Sequence, residues 1–472
     1  MLRTETAFST RERISLLGFG LALFVVQVDG YALSVSLPTI SRAFSQKVTD
    51  LHWLITGFML AFGALLTVTG RIADHIGPRR ATVLGLTAFA LASAVCGTAQ
   101  EPVWLIVGRI LQGSAAALLV PSAIAAVSAA FSGKARGRAL GIVLGSAATG
   151  SAVGPVVGGM LAQSVGWRAI FYVNIPITLA VTAIISRFSR ESETVSNPAQ
   201  PFPVVGPTML TIGTALITVT LDRGSSWGWT SAITLTCGAV GILMLCVFIF
   251  SEHRGRRPLY GPDFYHNAPF LRIVFVASAR NIAIALIALL SALYLQYIIL
   301  LTPGRNGIIF LAFSVSVVAS NYISGILGEL GKNHIFTLAA IALNAVGVYL
   351  LTVANSIPVF AIFLSVCGVG VGISGVLANV ITQNSVPEGK GGSAYSFSLS
   401  IRVLLTAVAI SAVSTALENL SGGTAHAHPS PAAIKTVLRI TAILLLIGAL
   451  ALVPDAFHSR AARKSRCKCD PQ

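Results

Sequence analysis

The sequence predicts an all-α integral membrane protein, and three observations support this class. Of the 472 residues, 54% are hydrophobic and only 10% are charged, whereas soluble domains contain about 25% charged residues. The apolar residues form long runs, and a run of roughly 20 residues is enough to cross a bilayer as a helix. The basic residues lie mainly between these runs, so the net charge of +16 does not indicate nucleic-acid binding. A soluble enzyme is excluded.

Fourteen apolar runs are long enough to be membrane spans. They cover residues 14–38, 51–72, 81–99, 103–129, 137–162, 167–187, 204–221, 230–251, 270–301, 307–328, 335–353, 357–382, 393–417 and 435–454. Short loops predict that neighbouring helices are antiparallel. The run 270–301 is longer than a span needs, and its Arg272 and Arg280 predict that the membrane part begins near Ile282.

Two polar stretches, 190–203 and 252–268, divide the chain. They predict six helices, two linker helices and six further helices. The predicted segments are an N-terminal tail (1–13), a six-helix bundle (14–190), a linker with two spans (191–253), a second six-helix bundle (254–457) and a basic tail (458–472). Lys and Arg concentrate in the tails and in the loops on the same side, which predicts that both termini are cytoplasmic.

The fifth run contains an unusual density of glycine. Gly150, Gly154 and Gly158, here called the glycine stripe, fall on one helical face, where they allow a neighbouring backbone to come close. Pro155 removes a backbone donor and favours a bend. A bare GxxxG indicates only a packing face. The longer pattern is more specific, and it comprises Gly141, Gly150, Gly154, Pro155, Gly158 and Gly159.

A second pattern follows the second run. It comprises Gly70, Arg71, Asp74, Gly77, Arg79 and Arg80. Gly77 permits an unusual backbone angle, and Asp74 is suited to pair with an arginine or with a helix N-terminus. Such a latch would hold one conformation and break in another. The alternative interpretation is an ordinary basic loop.

Two charged residues lie inside predicted spans. Asp29 is the acidic residue well inside a run, where an isolated charge costs roughly 2.5–3.5 kcal/mol. Counted from the outer face, Arg109 lies at a similar depth, within about 7 Å at 1.5 Å per residue. We expect Asp29 to exchange a proton, with Arg109 close by. The alternatives are a carboxylate that only hydrogen-bonds a helix and an arginine that only binds carbonyls.

Together these patterns resemble the drug/proton antiporters of the major facilitator superfamily, in the branch with fourteen spans. The matching segments are 28–38 in the first span, 70–80 after the second, 105–113 in the fourth, 141–159 in the fifth and 166–176 before the sixth. Tyr31 and Ser34 depart from the first-span motif. The second half departs further, because 325–332 lacks the arginines of the repeated loop motif and no acid lies mid-span. This argues against a second proton site and against multiply charged cations as preferred substrates.

The resemblance implies two bundles that alternate around a midplane cavity. It implies proton coupling at Asp29 and Arg109, a conformational switch at 70–80 and an antiporter helix at 141–159. The candidate cavity-lining residues are Tyr31, Gln112, Tyr294, Gln296 and Arg402.

The expected function is export of amphipathic drugs or toxic small molecules in exchange for protons. The expected partners are the substrate, protons and the lipid bilayer, and the expected location is a bacterial cell membrane. We expect a functional monomer that is not an enzyme and needs no cofactor or metal, since the pairs Cys467/Cys469 and His426/His428 offer too few ligands. The alternatives are a dedicated exporter of one natural product and, more remotely, a transport-dead sensor. A membrane transferase would need paired carboxylates or a His/Asp site in a loop, which the sequence lacks.

Overall fold

The computed structural model describes residues 8–48, 50–131, 133–189, 205–254, 265–330, 332–386, 391–420 and 430–454. Over these ranges the secondary structure is helical, without strands. The long helices are α1 (Thr10–Phe44), α2 (Trp53–Ile76), α3 (Pro78–Thr98), α4 (Pro102–Ala130), α5 (Gly133–Ser164), α6 (Ala169–Phe188), α7 (Val205–Trp227), α8 (Ala232–Arg254), α9 (Ala268–Leu293), α10 (Pro303–Glu329), α11 (Asn333–Leu351), α12 (Ile357–Asn384), α13 (Gly391–Leu420) and α14 (Pro431–Ala451).

The predicted membrane class is confirmed. Within the described residues, 12 helices are long and apolar enough to cross a bilayer. The other two, α2 and α7, lie on the predicted runs 51–72 and 204–221, and their role as spans stays a prediction. Helices dominate because a bilayer core offers no water to the backbone, so each segment must satisfy its own peptide groups.

The chain forms two compact units. The first contains Met1–Phe248 and Leu301–Gly307, and the second contains Ile249–Leu300 and Ile308–Gln472. In the first unit, α1 packs on α5, and α4 packs on both α2 and α3. Its core is apolar and includes the buried rings of Phe19 and Phe89. In the second unit, α12 packs on α11, and α9 packs on α13 and α14.

Several predictions concern residues outside the described ranges. These residues include the basic tail 458–472 with Cys467 and Cys469, the pair His426 and His428, and most of the polar stretch 190–203. The division into tails, two bundles and a linker therefore stays a prediction.

One prediction about α9 is wrong. The apolar helix runs from Ala268 and continues through a π-helical turn to Ile298, so it begins well before Ile282. Arg280 does not mark a membrane edge, because its guanidinium lies beside Gly375 of α12. A charged residue in an apolar run can thus point into a helix bundle instead of ending the span.

Candidate functional site

A buried ion pair joins α1 to α4. The Arg109 guanidinium donates from Nη1 to Oδ2 of Asp29 at 2.5 Å, and each side chain is at most 1% exposed. The predicted closeness of the two residues is confirmed. Their pairing follows from helical rise, which places them at one depth, and from the cost of leaving either charge alone in an apolar interior.

The other carboxylate oxygen of Asp29 is also bound. Asn174 of α6 donates from Nδ2 to Oδ1 at 2.7 Å, and Gln112 of α4 donates from Nε2 to the same atom at 3.4 Å. Asp29 therefore connects its own helix to two others. All of its partners are donors, so this arrangement favours the ionised carboxylate.

Arg109 has further contacts that do not depend on Asp29. Its Nε donates to the Leu54 carbonyl at 2.9 Å, and Nη1 also donates to Oε1 of Gln112 at 2.8 Å. The guanidinium carbon lies 4.4 Å from the ring centroid of Phe58, which adds a cation–π attraction. The arginine can therefore stay in place when the carboxylate loses its charge.

Gln112 belongs to this polar cluster. The side chain is fully buried, and its Nε2 donates to Ser93 Oγ of α3 at 2.8 Å. We predicted Gln112 as a cavity-lining residue, and the structure places it between the ion pair and α3. Its two-sided amide lets it bind Arg109 and Asp29 with opposite ends at the same time.

Sequence reasoning missed part of this cluster. Asn174 was available from its motif, since it is a polar residue in the otherwise apolar run that begins near Trp167. The Ser93 hydroxyl and the Leu54 carbonyl gave no such signal, because serine and backbone carbonyls occur throughout the chain.

The glycine stripe packs on α1 of the same unit. A Cβ on Gly150 would lie 2.5 Å from the Phe24 carbonyl oxygen, and one on Gly154 would lie 2.9 Å from that of Val28. A Cβ on Gly158 would overlap Ala32. The Ser36 hydroxyl also donates to the Gly158 carbonyl at 3.2 Å. The stripe therefore holds α5 against the helix that contains Asp29.

The remaining motif residues of α5 behave differently. A Cβ on Gly159 would overlap the Pro303 carbonyl, and one on Gly307 would lie 3.0 Å from the Pro155 carbonyl. Gly159 and Pro155 thus contact the segment Leu301–Gly307, which belongs to the first unit. At Gly141 no atom lies within 4 Å of the Cβ position, so this glycine is not required by close packing.

The loop pattern is described only in part. Of Gly70, Arg71 and Asp74 the helical backbone alone is described. Gly77 has φ 92° and separates α2 from α3, as its predicted unusual backbone angle requires. Arg79 donates to the Ser186 and Ile185 carbonyls at the end of α6, where a helix presents its negative pole. Arg80 is exposed.

The other predicted cavity-lining residues are spread over both units. Tyr31 is half-buried beside Gly154. Tyr294 stacks on Phe360 with ring centroids 5.6 Å apart, and Gln296 is buried in the π-helical turn after α9. Arg402 is buried in α13, where it donates to Asn379 and to the Ser398 carbonyl.

A charged group outside this cluster fixes α7 to α2. Asp222, just beyond the predicted span 204–221, lies 3.0 Å from Nε2 of His52. It also accepts from Trp53 Nε1 at 2.6 Å and lies 3.3 Å from Nε of Arg223. Burial acts to raise the pKa of Asp222, but the hydrogen bond and charge of His52, the Trp53 bond and Arg223 together leave that pKa below its ordinary value.

Comparisons with known proteins match this arrangement to one family. The model of the Major Facilitator Superfamily matches residues 19–410. Multidrug resistance protein Stp of Mycobacterium tuberculosis is 26% identical over 88% of this chain and 78% of its own length. Puromycin resistance protein pur8 of Streptomyces alboniger is 29% identical, over 70% of this chain and 66% of its own. Methyl viologen resistance protein SmvA of Salmonella typhimurium is 29% identical, over 72% and 68%.

A solved structure shares the fold. The human organic anion transporter MFSD10 (TETRAN) superposes with a TM-score of 0.64 over 93% of this chain and 99% of its own, at 14% identity. At this identity the match supports the fold alone.

Proposed function

This chain belongs to the Major Facilitator Superfamily, and we propose that it exports amphipathic small molecules in exchange for protons. The chain is a multi-pass membrane transporter and not an enzyme. We further propose that it works by alternating access, as a monomer in a bacterial cell membrane, with both termini in the cytoplasm. The proposed proton-coupling residues are Asp29 and Arg109.

The observation that supports proton coupling is the environment of Asp29. This buried carboxylate binds donors on α4 and α6, so its charge holds three helices together. A proton on Asp29 would remove the ionic attraction and weaken the bonds from Arg109 and Asn174. Arg109 would keep the Leu54 carbonyl, Gln112 and Phe58. Protonation can therefore loosen α1 without leaving a buried cation without contacts.

The relatives support small-molecule export. Their names refer to chemically unlike compounds, among them puromycin, methyl viologen and tetracenomycin C. We propose that the substrate is amphipathic and that Tyr31, Tyr294, Gln296 and Arg402 contact it. The proposed switch comprises the residues of the 70–80 pattern, and the proposed antiporter helix is α5.

A second candidate function is export of one dedicated natural product. It is favoured by relatives named for a single antibiotic, such as the methylenomycin A resistance protein of Streptomyces coelicolor, 27% identical over 76% of both chains. Growth inhibition of a pump-deleted host by a panel of unlike toxic compounds separates the candidates. Protection against several classes supports the broad exporter, and protection against one class supports the dedicated exporter.

Proton coupling is tested with purified protein in proteoliposomes. An imposed pH gradient should drive accumulation of a fluorescent amphipathic substrate without ATP, and a protonophore should abolish it. Substrate should also drive proton movement in the opposite direction, measured with an internal pH dye. Transport that persists with the protonophore and requires ATP would show that this proposal is wrong.

A further inference from the structure

We propose that the second unit contains a site for an organic anion between Arg280 of α9 and Arg402 of α13. The ligands it selects are amphipathic compounds with a single carboxylate or sulfonate. This inference rests on the proposed export function, because it specifies the charge of the exported compound.

The two arginines meet the same stretch of α12. Arg402 Nη1 donates to Asn379 Oδ1 at 3.3 Å, and Arg280 Nη1 lies 3.1 Å from the position of a Cβ on Gly375. Gly375 and Asn379 are four residues apart, so they are neighbours on one helical face, separated by about 6 Å along the axis. Both guanidinium groups therefore approach one short segment of α12.

A direct contact sets α9 and α13 in register. Asn281 Nδ2 donates to Thr406 Oγ1 at 3.0 Å, and the Thr406 hydroxyl donates to the Arg402 carbonyl at 2.7 Å. Asn281 follows Arg280, and Thr406 is one turn beyond Arg402. The arginines are consequently held at one level of the unit, each deep in its helix, about 16–18 Å from the helix start at 1.5 Å per residue.

The surroundings of the pair differ from lipid. Arg402 is only 4% exposed, while Arg280, Gly375 and Asn379 are partly exposed. An arginine at this depth that faced lipid would be strongly unfavourable, and such residues instead face the bundle interior or a water-filled space. The partly exposed side of the pair is therefore open to water, from which a polar ligand can arrive.

The charge of this region is positive. Between residues 265 and 454 the sequence contains only Glu329, Glu388 and Glu418 as acids. Glu329 is the last residue of α10, Glu388 lies between α12 and α13, and Glu418 is near the end of α13. Amides and carbonyls satisfy the geometry of a guanidinium but do not neutralise its charge. An anionic ligand would do both, and planar guanidinium groups match carboxylate oxygens in pairs.

The glycine at position 375 supports a ligand site over a purely structural cluster. With no side chain, it leaves the Arg280 guanidinium beside bare backbone. A larger residue there would displace the arginine. Gly375 thus keeps room beside the two cations on the partly exposed side.

The test compares two probes that differ in charge. Dansylglycine has a carboxylate, and dansylglycine methyl ester has the same fluorophore without the charge. Binding to the purified full-length protein in detergent is followed by dansyl fluorescence. We expect the acid to bind about tenfold or more tighter than the ester, as charge-assisted hydrogen bonds allow. Equal affinities for the acid and the ester would overturn the proposal.

Variants locate the preference. Arg402→Gln and Arg280→Gln should each weaken binding of the acid about tenfold and leave the ester unchanged, because only the acid uses the positive charge. Arg402→Lys should restore part of the acid binding. Arg272→Gln, on the same helix near its start, is the matched control and should change neither probe. Parallel loss of acid and ester would show a structural role instead and contradict the site.

Two further arms complete the test. If Arg402→Gln elutes as an aggregate, the wild-type preference and Arg280→Gln decide. Competition by phosphatidylglycerol, but not phosphatidylcholine, at the wild-type site would assign it to a lipid headgroup and overturn the proposal. In proteoliposomes, gradient-driven export of the ester at the same rate as the acid would leave proton-coupled export standing while this inference fails.

Discussion

The two units place buried arginines in opposite settings. In the first unit, Arg109 binds the carboxylate of Asp29, so the pair is neutral and can lose that neutrality by taking up a proton. In the second unit, Arg402 binds an amide and a carbonyl, and Arg280 lies beside glycine, so the charge remains. The contrast indicates a division of labour, in which one unit responds to protons and the other to the charge of the ligand.

The largest expected effect tests whether the first arginine is needed for the fold. Arg109→Gln leaves the Asp29 carboxylate buried without a cation, which typically costs about 3–5 kcal/mol. Arg402→Gln removes a cation and leaves no carboxylate behind, so we expect only about 1–2 kcal/mol from its lost hydrogen bonds. Thermal unfolding of the two detergent-solubilised variants measures the difference. Equal losses would remove the contrast between the units.

The next effect concerns function more than stability. Asp29→Asn keeps the size of the side chain and an acceptor for Arg109, so the protein should fold. It cannot exchange a proton, so gradient-driven export should fall about 100-fold or more, a loss typical for removal of an essential proton-transfer group. Ligand binding should change little. Asp222→Asn is the matched control, since Asp222 is also partnered but lies outside this cluster, and normal coupled export by Asp29→Asn would exclude Asp29 as the coupling residue.

A smaller effect tests whether the glycine stripe supports the proton site. Gly158→Ala places a methyl group against Ala32 of α1, and overpacking of this kind typically costs about 1–3 kcal/mol. Because α1 contains Asp29, export should fall as well. Gly145→Ala on the same helix meets no atom within 4 Å and should leave unfolding temperature and export unchanged. A neutral Gly158→Ala would mean that α1 and α5 tolerate separation.

The smallest effect concerns Asp222 and the attachment of α7. Its pKa is lowered in the folded protein, so its stabilising contribution is present above the unfolded pKa of about 4 and is lost as pH falls through the folded value. Between pH 5 and 7, Asp222→Asn should lower stability by about 1 kcal/mol. Below about pH 4 the difference from the wild type should shrink. Unfolding temperatures of both proteins across this range provide the measurement, and a constant difference would contradict the assignment.

The sequence alone determined the membrane class and most helices. Hydropathy and run length decide both, because a bilayer core admits only segments that satisfy their own backbone. The sequence also placed Asp29 and Arg109 at one depth, since helical rise is fixed along the chain. The glycine stripe was recognised as a packing face for the same reason.

Tertiary structure alone decided which groups meet. The sequence did not show that Asn174 and Ser93 join the ion pair through Asp29 and Gln112. It gave no partner for the glycine stripe, which packs on α1, and it misplaced Arg280 at a membrane edge. Period and rise fix the face and height of a residue on its own helix. The rotation of that helix and the identity of its neighbour depend on the packing of every helix around it, and that information is not local in the chain.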